Sequence, residues 1–188
     1  VAVLKIVPRR FEDPRGWFSE TYNQARYQGF GIADAFVQDN QSLSRPAATL
    51  RGLHFQRPPH AQAKLVRCLR GRIWDVAADI RAGSPTCGQW VATTLTAQGG
   101  EQLYIPTGFA HGFLTLEPDC EVAYKTSAFY APESDAGIAW DDPAVAIAWP
   151  LDGAAPQLSD KDRALPRLNG IETGFAYDGV PLTLTELS

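Results

Sequence analysis

Lys64-Leu65-Val66-Arg67-Cys68-Leu69-Arg70-Gly71-Arg72-Ile73-Trp74-Asp75-Val76-Ala77-Ala78-Asp79-Ile80-Arg81 is the stretch that decides the fold. It holds two apolar-rich strand candidates, split by the turn signal Arg70-Gly71. Successive side chains of a strand point to opposite faces. In the second strand Trp74, Val76, Ala78 and Ile80 therefore share one face, and Asp75, Ala77, Asp79 and Arg81 share the other. Two acids on one face of a strand expected to be half buried are unusual.

Outward from this pair, 16 Gly and 14 Pro break the chain into short pieces, a pattern of many strands joined by turns. Further strands are expected at 89–96, 102–105, 112–116 and 121–126. Turns fall at Gly83-Ser84-Pro85, Gly99-Gly100, Pro106-Thr107-Gly108 and Glu117-Pro118-Asp119. Helical signal is confined to 23–28 and to a short helix that Ser159 caps ahead of Asp160, Lys161 and Asp162. The expected fold is all-β, an antiparallel sandwich or jelly roll with short peripheral helices. Its 188 residues suit one domain, 1–188. Residues 153–188 are expected to pack across the barrel mouth or edge, anchored by Leu158, Leu165, Leu168, Ile171 and Phe175. Residues 1–6 read as an edge strand.

A net charge of −4 disfavours a general nucleic-acid or membrane-surface role. No apolar run is long enough to cross a membrane. Cys68, Cys87 and Cys120 are odd in number, with neither metal-knuckle nor redox-pair spacing. A reducing cytoplasm is the expected compartment.

Against this acidic frame, Leu50-Arg51-Gly52-Leu53-His54-Phe55-Gln56 and the nearby Gln62-Ala63-Lys64-Leu65-Val66 gather a guanidinium, an imidazole and an ammonium. Three such donors suit a small anionic ligand, and the imidazole can move a proton near neutral pH. The combination points to chemistry on a phosphorylated or carbonyl-bearing molecule.

Pro106-Thr107-Gly108-Phe109-Ala110-His111 has the form P-x-G-x-x-H. It resembles the second motif of the cupin superfamily, whose jelly-roll barrel is then the expected scaffold. The superfamily's first motif supplies two His and a Glu to a metal. Aligned on Gly71, the Glu position is Lys64, and the His positions fall on Arg57 and Pro59, or on Pro58 and His60. An ammonium and a proline cannot ligate a metal, so no metal site is expected. A cation, a neutral His and a phenol can instead polarise a carbonyl and shuttle protons at the adjacent carbon. Tyr124, which alternates with Val122 and Thr126 on one strand face, is the best phenol. Asp162, Asp75 and Asp79 are candidates for orienting the His. Asp75 is favoured as a supporting partner of Lys64 or Tyr124, although both strand acids could simply pair with Arg81, Arg67 or Lys64. His60, after Pro58-Pro59, reads as an exposed loop residue.

An ordered series of segments carries a closer resemblance. They are Phe11-Glu12-Asp13-Pro14-Arg15-Gly16-Trp17-Phe18-Ser19-Glu20, Phe36-Val37-Gln38-Asp39-Asn40-Gln41-Ser42, Leu50 to Gln56, Ala61 to Val66, Asp75 to Ile80, Gly88-Gln89-Trp90, Tyr104 to Phe113, Tyr124-Lys125-Thr126, Trp140-Asp141-Asp142-Pro143 and Ser159-Asp160-Lys161-Asp162. The series resembles the dTDP-4-dehydrorhamnose 3,5-epimerase family. The resemblance implies that His54 is a general base with Asp162 as its dyad partner. It implies that Tyr124 is the acid on the other face of the sugar, and that Lys64 stabilises the enolate oxygen. Arg15, Arg51 and Lys161 would meet the diphosphate. Phe18, Glu20, Gln38, Asp39 and Asn40 would hold the nucleotide, and His111 would line the sugar site. Asp135 stands where relatives often carry a ligand-contacting Glu, and Phe129 where some have Tyr.

The implied activity is inversion of C3 and C5 in dTDP-4-keto-6-deoxy-D-glucose. It needs no cofactor, because the substrate's ketone is the electron sink. The alternatives are a single-site epimerase of a related deoxysugar and a non-catalytic sugar-nucleotide-binding cupin. The resemblance also implies a homodimer, with the N-terminal strand as a plausible exchanged edge.

Overall fold

The computed structural model describes residues 2–188, so Val1 lies outside the described residues. Thirteen strands and two short α-helices follow in chain order: β1 (Val3–Ile6), β2 (Phe11–Asp13), β3 (Gly16–Phe18), α1 (Gln24–Gly29), β4 (Gln38–Ser44), β5 (Leu50–Gln56), β6 (Lys64–Arg70), β7 (Arg72–Asp79), β8 (Trp90–Thr96), β9 (Gln102–Ile105), β10 (Phe109–Thr115), β11 (Cys120–Thr126), β12 (Asp135–Gly137), α2 (Asp160–Arg163) and β13 (Leu184–Leu187). A 3-10 turn at Leu168–Gly170 precedes β13. Two sheets face each other. One runs β13-β1-β9-β6-β11-β4 and the other β12-β5-β10-β7-β8. Every pairing in them is antiparallel except β1 with β13. This is the all-β jelly-roll barrel expected of the sequence.

The alternation on β7 is as expected, but the strand is not half buried. Ile73 and Ala77, from the face that carries the acids, join Val66, Leu103, Ile105, Phe113 and Val122 in the core between the sheets. Asp75 and Asp79 on that face are fully buried. Ala78 and Ile80 on the other face pack against Leu53, Phe55, Ile138, Val145 and Leu168. Both faces are covered because the chain after β12 returns across the outside of this sheet. Leu168, Ile171 and Phe175, three of the expected anchors of the C-terminal segment, belong to that outer cluster. On the outside of the six-stranded sheet, Leu4, Ile6, Leu65 and Tyr104 are covered by Tyr27 of α1 and by Ile32.

Three further departures have local causes. First, β1 is not an edge. Its residues pair on one side with β9 and on the other with β13, so the last strand of the chain occupies the edge position. Second, β4, Gln38-Asp39-Asn40-Gln41-Ser42-Leu43-Ser44, is a strand almost without apolar residues. It lies at the edge of its sheet, paired to β11 alone, where little core burial is demanded. Third, Asp79 does not orient a histidine. Both its oxygens accept from the buried Arg81 guanidinium, at 2.9 and 2.8 Å, and Oδ2 also accepts from Ser84 and Thr86. Arg81 in turn donates to Asp178 at 2.6 Å, which fastens the C-terminal segment to the barrel.

Candidate active site

The site is organised by an irregularity in β5. Against β10, His54 pairs with His111 and Arg51 with Phe113, so three steps along β5 match two along β10. The extra residue is a β-bulge, which re-aims side chains. Residues 51 and 54 would face opposite ways in a regular strand. Here Arg51 and His54 line one cavity. The bulge requires glycine. Gly52 has φ +129, and a Cβ there would stand 2.5 Å from the Gly112 Cα.

That cavity, of about 280 Å³, is lined by Arg51, His54, Lys64, His111, Tyr124 and Asp162 among others. A second lobe of about 190 Å³ shares His54, Lys64, Tyr124 and Lys161 and adds Gln38, Asn40, Tyr130 and Asp135. The largest cavity, about 570 Å³, lies beyond Tyr124 and contains neither His54 nor Lys64. The chemistry belongs to the two smaller lobes.

His54 Nε2 lies 2.5 Å from Asp162 Oδ1. Asp162 is delivered by α2, whose N-cap Ser159 accepts from the Asp162 N–H at 3.1 Å. Burial by itself would raise the Asp162 carboxyl, but the His54 hydrogen bond and charge outweigh it and hold the group below the usual range. The dyad fixes the imidazole and leaves Nδ1 to take a proton. Tyr124 comes from the facing sheet. Burial pushes its phenol above its ordinary value, against the opposing charge of Arg51, so it keeps its proton at neutral pH. Lys64, 8% exposed, donates to the His54 carbonyl at 3.3 Å and stands 5.8 Å from the centre of the Tyr124 ring. Burial pulls its ammonium down to about 8, with Asp75 and Asp135 opposing.

A second imidazole–carboxylate pair sits behind the first: His111 Nε2 is 2.6 Å from Asp75 Oδ1. Burial holds His111 below its usual value despite Asp75. The ring is therefore neutral and donates its Nε2 hydrogen to Asp75. Of the candidates for orienting a histidine, Asp75 meets His111, and it makes no hydrogen bond to Lys64 or Tyr124. His60 is an exposed loop residue near Glu133. Among the described residues, no three His, Cys, Asp or Glu side chains are grouped to hold a metal.

The expected nucleotide-holding residues divide into two sets. Gln38 and Asn40 face the site and bond each other at 2.9 Å. Asp39, between them on β4, points the other way, is exposed, and pairs with Lys125 at 2.9 Å. Asp135 bonds Lys161 at the cavity wall. Arg51 is braced by Ser44 at 3.0 Å. Arg15 and Phe18 lie on the β2–β3 hairpin, outside both lobes. Arg15 is spent on Asp13 and Phe18 is 70% exposed. Glu20 accepts from Asn23 at 3.1 Å and also lies away from the cavity. Phe129 is 69% exposed.

Among the lining residues that the sequence reading does not single out, Tyr130 and Ser42 stand out. Tyr130 donates its hydroxyl to Asp135 at 3.2 Å and its N–H to Gln38 Oε1 at 3.0 Å. Only its place beside Phe129 could have pointed to it. Ser42 has a buried hydroxyl with no hydrogen-bond partner. Strand alternation from Gln38 and Asn40 would have found it.

Comparison with known proteins agrees with this geometry. A family model described as dTDP-4-dehydrorhamnose 3,5-epimerase matches residues 2–170. The dTDP-4-dehydrorhamnose 3,5-epimerase of Sinorhizobium fredii is 48% identical over 179 residues, covering 94% of this chain and 91% of that protein. The crystal structure of dTDP-6-deoxy-D-glucose-3,5-epimerase from Legionella pneumophila in complex with dTDP-4-keto-L-rhamnose superposes with a TM-score of 0.87 at 46% identity, covering 92% of each chain. A 3'-monoepimerase from Streptomyces bikiniensis in complex with dTDP-quinovose reaches 0.83 at 34% identity, over 89% of this chain and 84% of that one. The chain belongs to the dTDP-4-dehydrorhamnose 3,5-epimerase family.

Proposed function

We propose that the protein inverts C3 and C5 of dTDP-4-keto-6-deoxy-D-glucose, giving dTDP-4-dehydro-L-rhamnose. One observation carries the proposal. An imidazole braced by a carboxylate, a protonated phenol and a buried ammonium line one cavity, with base and phenol on facing sheets. His54 takes the proton from a carbon next to the ketone and becomes imidazolium, stabilised by Asp162. The C–H electrons move into the C4 carbonyl, and the Lys64 ammonium meets the oxygen charge that develops. Tyr124 returns a proton to the opposite face; it then regains a proton from solvent while the His54 imidazolium releases its own, and both groups are reset. Repetition at the second carbon completes the reaction. Arg51 and Lys161 supply positive charge for the diphosphate.

A homodimer fits this reading. Phe11 and Phe18, cross-strand partners on one face of the β2–β3 hairpin, are 51 and 70% exposed, an apolar pair of the kind found at protein interfaces. Arg15 and Phe18 can meet a ligand only where that hairpin reaches a second copy. Among the described residues, no helix is long and apolar enough to cross a membrane.

Inversion at a single carbon is the second reading, supported by the likeness to the Streptomyces monoepimerase. Proton NMR of the product formed in deuterated water separates the two. Double inversion predicts deuterium at both C3 and C5, with both configurations changed. Deuterium and inversion at one carbon alone would establish the single-site reading, and none at either would remove both.

A further inference from the structure

Charge accounting inside the barrel leaves one carboxylate and one ammonium without full partners. Asp79 is met by Arg81 and Asp135 by Lys161, and Asp162 accepts hydrogen bonds from His54 and from the Gly52 N–H. Asp75, fully buried, bonds only the neutral ring of His111, and its Oδ2 has no hydrogen-bond partner. Lys64, almost as deeply buried, has a backbone carbonyl as its hydrogen-bond acceptor and makes no ion pair among the described residues. A buried ammonium with no counter-charge gives up its proton. In a poorly solvated interior an opposite charge acts over several ångströms, so direct contact is not required.

We propose that Asp75 is a positioning residue for this reaction: fixed through Oδ1 by His111, its carboxylate is the counter-charge that holds Lys64 as an ammonium where the enolate oxygen forms. The other groups facing Lys64 cannot take this part. Asp162 of α2 is engaged by His54 and the Gly52 N–H and is not among the charges that act on Lys64, and Arg51 is a cation. His111 from β10 and Tyr124 from β11 are neutral. Asp135 from β12 is met by Lys161 of α2, whose charge itself acts against the Lys64 ammonium. Asp75 from β7 remains. Its effect has the right direction, opposing the burial that draws Lys64 down to about 8.

The inference rests on the epimerase reading, and its test is the pH profile of turnover for the wild type and for Asp75→Asn, an isostere that keeps an acceptor for His111. The wild type should lose turnover as pH rises through the Lys64 value of about 8. Removing the negative charge lowers the Lys64 value further, so the alkaline limb of the variant should move toward acid by about one pH unit. Affinity for dTDP should stay within about twofold, since uniform binding is not the term removed. An alkaline limb that does not move overturns the proposal. If Asp75→Asn does not fold, His111→Gln, which keeps the carboxylate, decides. Its limb should stay in place, and disappearance of the limb would make His111 the titrating group and refute the role of Asp75. A wild type with no turnover at any pH would strike the epimerase reading instead.

Discussion

His54 is asked to do most of the chemistry, and its surroundings explain how it can. Asp162 at 2.5 Å fixes the ring and stabilises the imidazolium that forms on proton removal. His54→Asn should therefore abolish solvent exchange at both carbons, with a rate loss on the order of 10²–10⁴. Calorimetry should find dTDP affinity nearly intact, because the proposed reading gives the diphosphate to Arg51 and Lys161 and not to His54. Wild-type turnover in this variant would remove His54 from the mechanism. His54, Lys64, Tyr124 and Asp162 are all legible in the sequence, because their residue types and order are distinctive. Which of the two β7 acids meets a histidine, and which histidine, is not. It depends on β7 lying beside β10, where Phe113 pairs with Asp75 and Ala77 with His111. Nothing near Asp75 in the sequence names a residue thirty-six positions on. Asp39 lies apart from Gln38 and Asn40 for a local reason: strand alternation turns the middle member of Gln38-Asp39-Asn40 to the other face, where it lines the larger cavity beyond Tyr124.

At the scale of the element, the bulge in β5 is the decisive feature, because it brings Arg51 and His54 to one side. Gly52→Ala tests it. The new methyl would meet Gly112 Cα at 2.5 Å with φ at +129. Overpacking and backbone strain of this kind each cost about 1–3 kcal/mol. Denaturant unfolding should show that loss, and turnover should fall in the fraction that remains folded, since His54 and Arg51 move with the backbone. A variant of unchanged stability and activity would mean the bulge is not needed. Helix starts are more legible than this bulge. Ser159 caps α2 as its sequence indicates, because capping is settled within four residues. The bulge is settled across a strand pair, by glycines at 52 and 112, and no local pattern announces it. The strand β4 is equally hard to read, since an edge beside a polar cavity asks for no apolar alternation.

On the scale of the whole molecule, the barrel is two sheets, each covered on its outer face. That second covering is why β7 is buried on both sides, and why a half-buried strand is the wrong expectation for it. The segments that do the covering, and β13 at the sheet edge, have little periodicity of their own, so their positions follow from the barrel they pack on. The same architecture sets the stereochemistry. His54 belongs to one sheet and Tyr124 to the other, so in the proposed mechanism a sugar ring held between them would meet a base on one face and an acid on the opposite face. Inversion is then a property of the two sheets together. Tyr124→Phe removes the proton donor and leaves the ring in place. The measurement is time-resolved NMR of dTDP-4-keto-6-deoxy-D-glucose in deuterated water with this variant, following deuterium entry and change of configuration separately. Deuterium should still enter at C3 or C5, returned from the His54 side, while inverted product falls much further. Inversion at the wild-type rate, or equal loss of exchange and inversion, would contradict an acid and a base working from opposite faces.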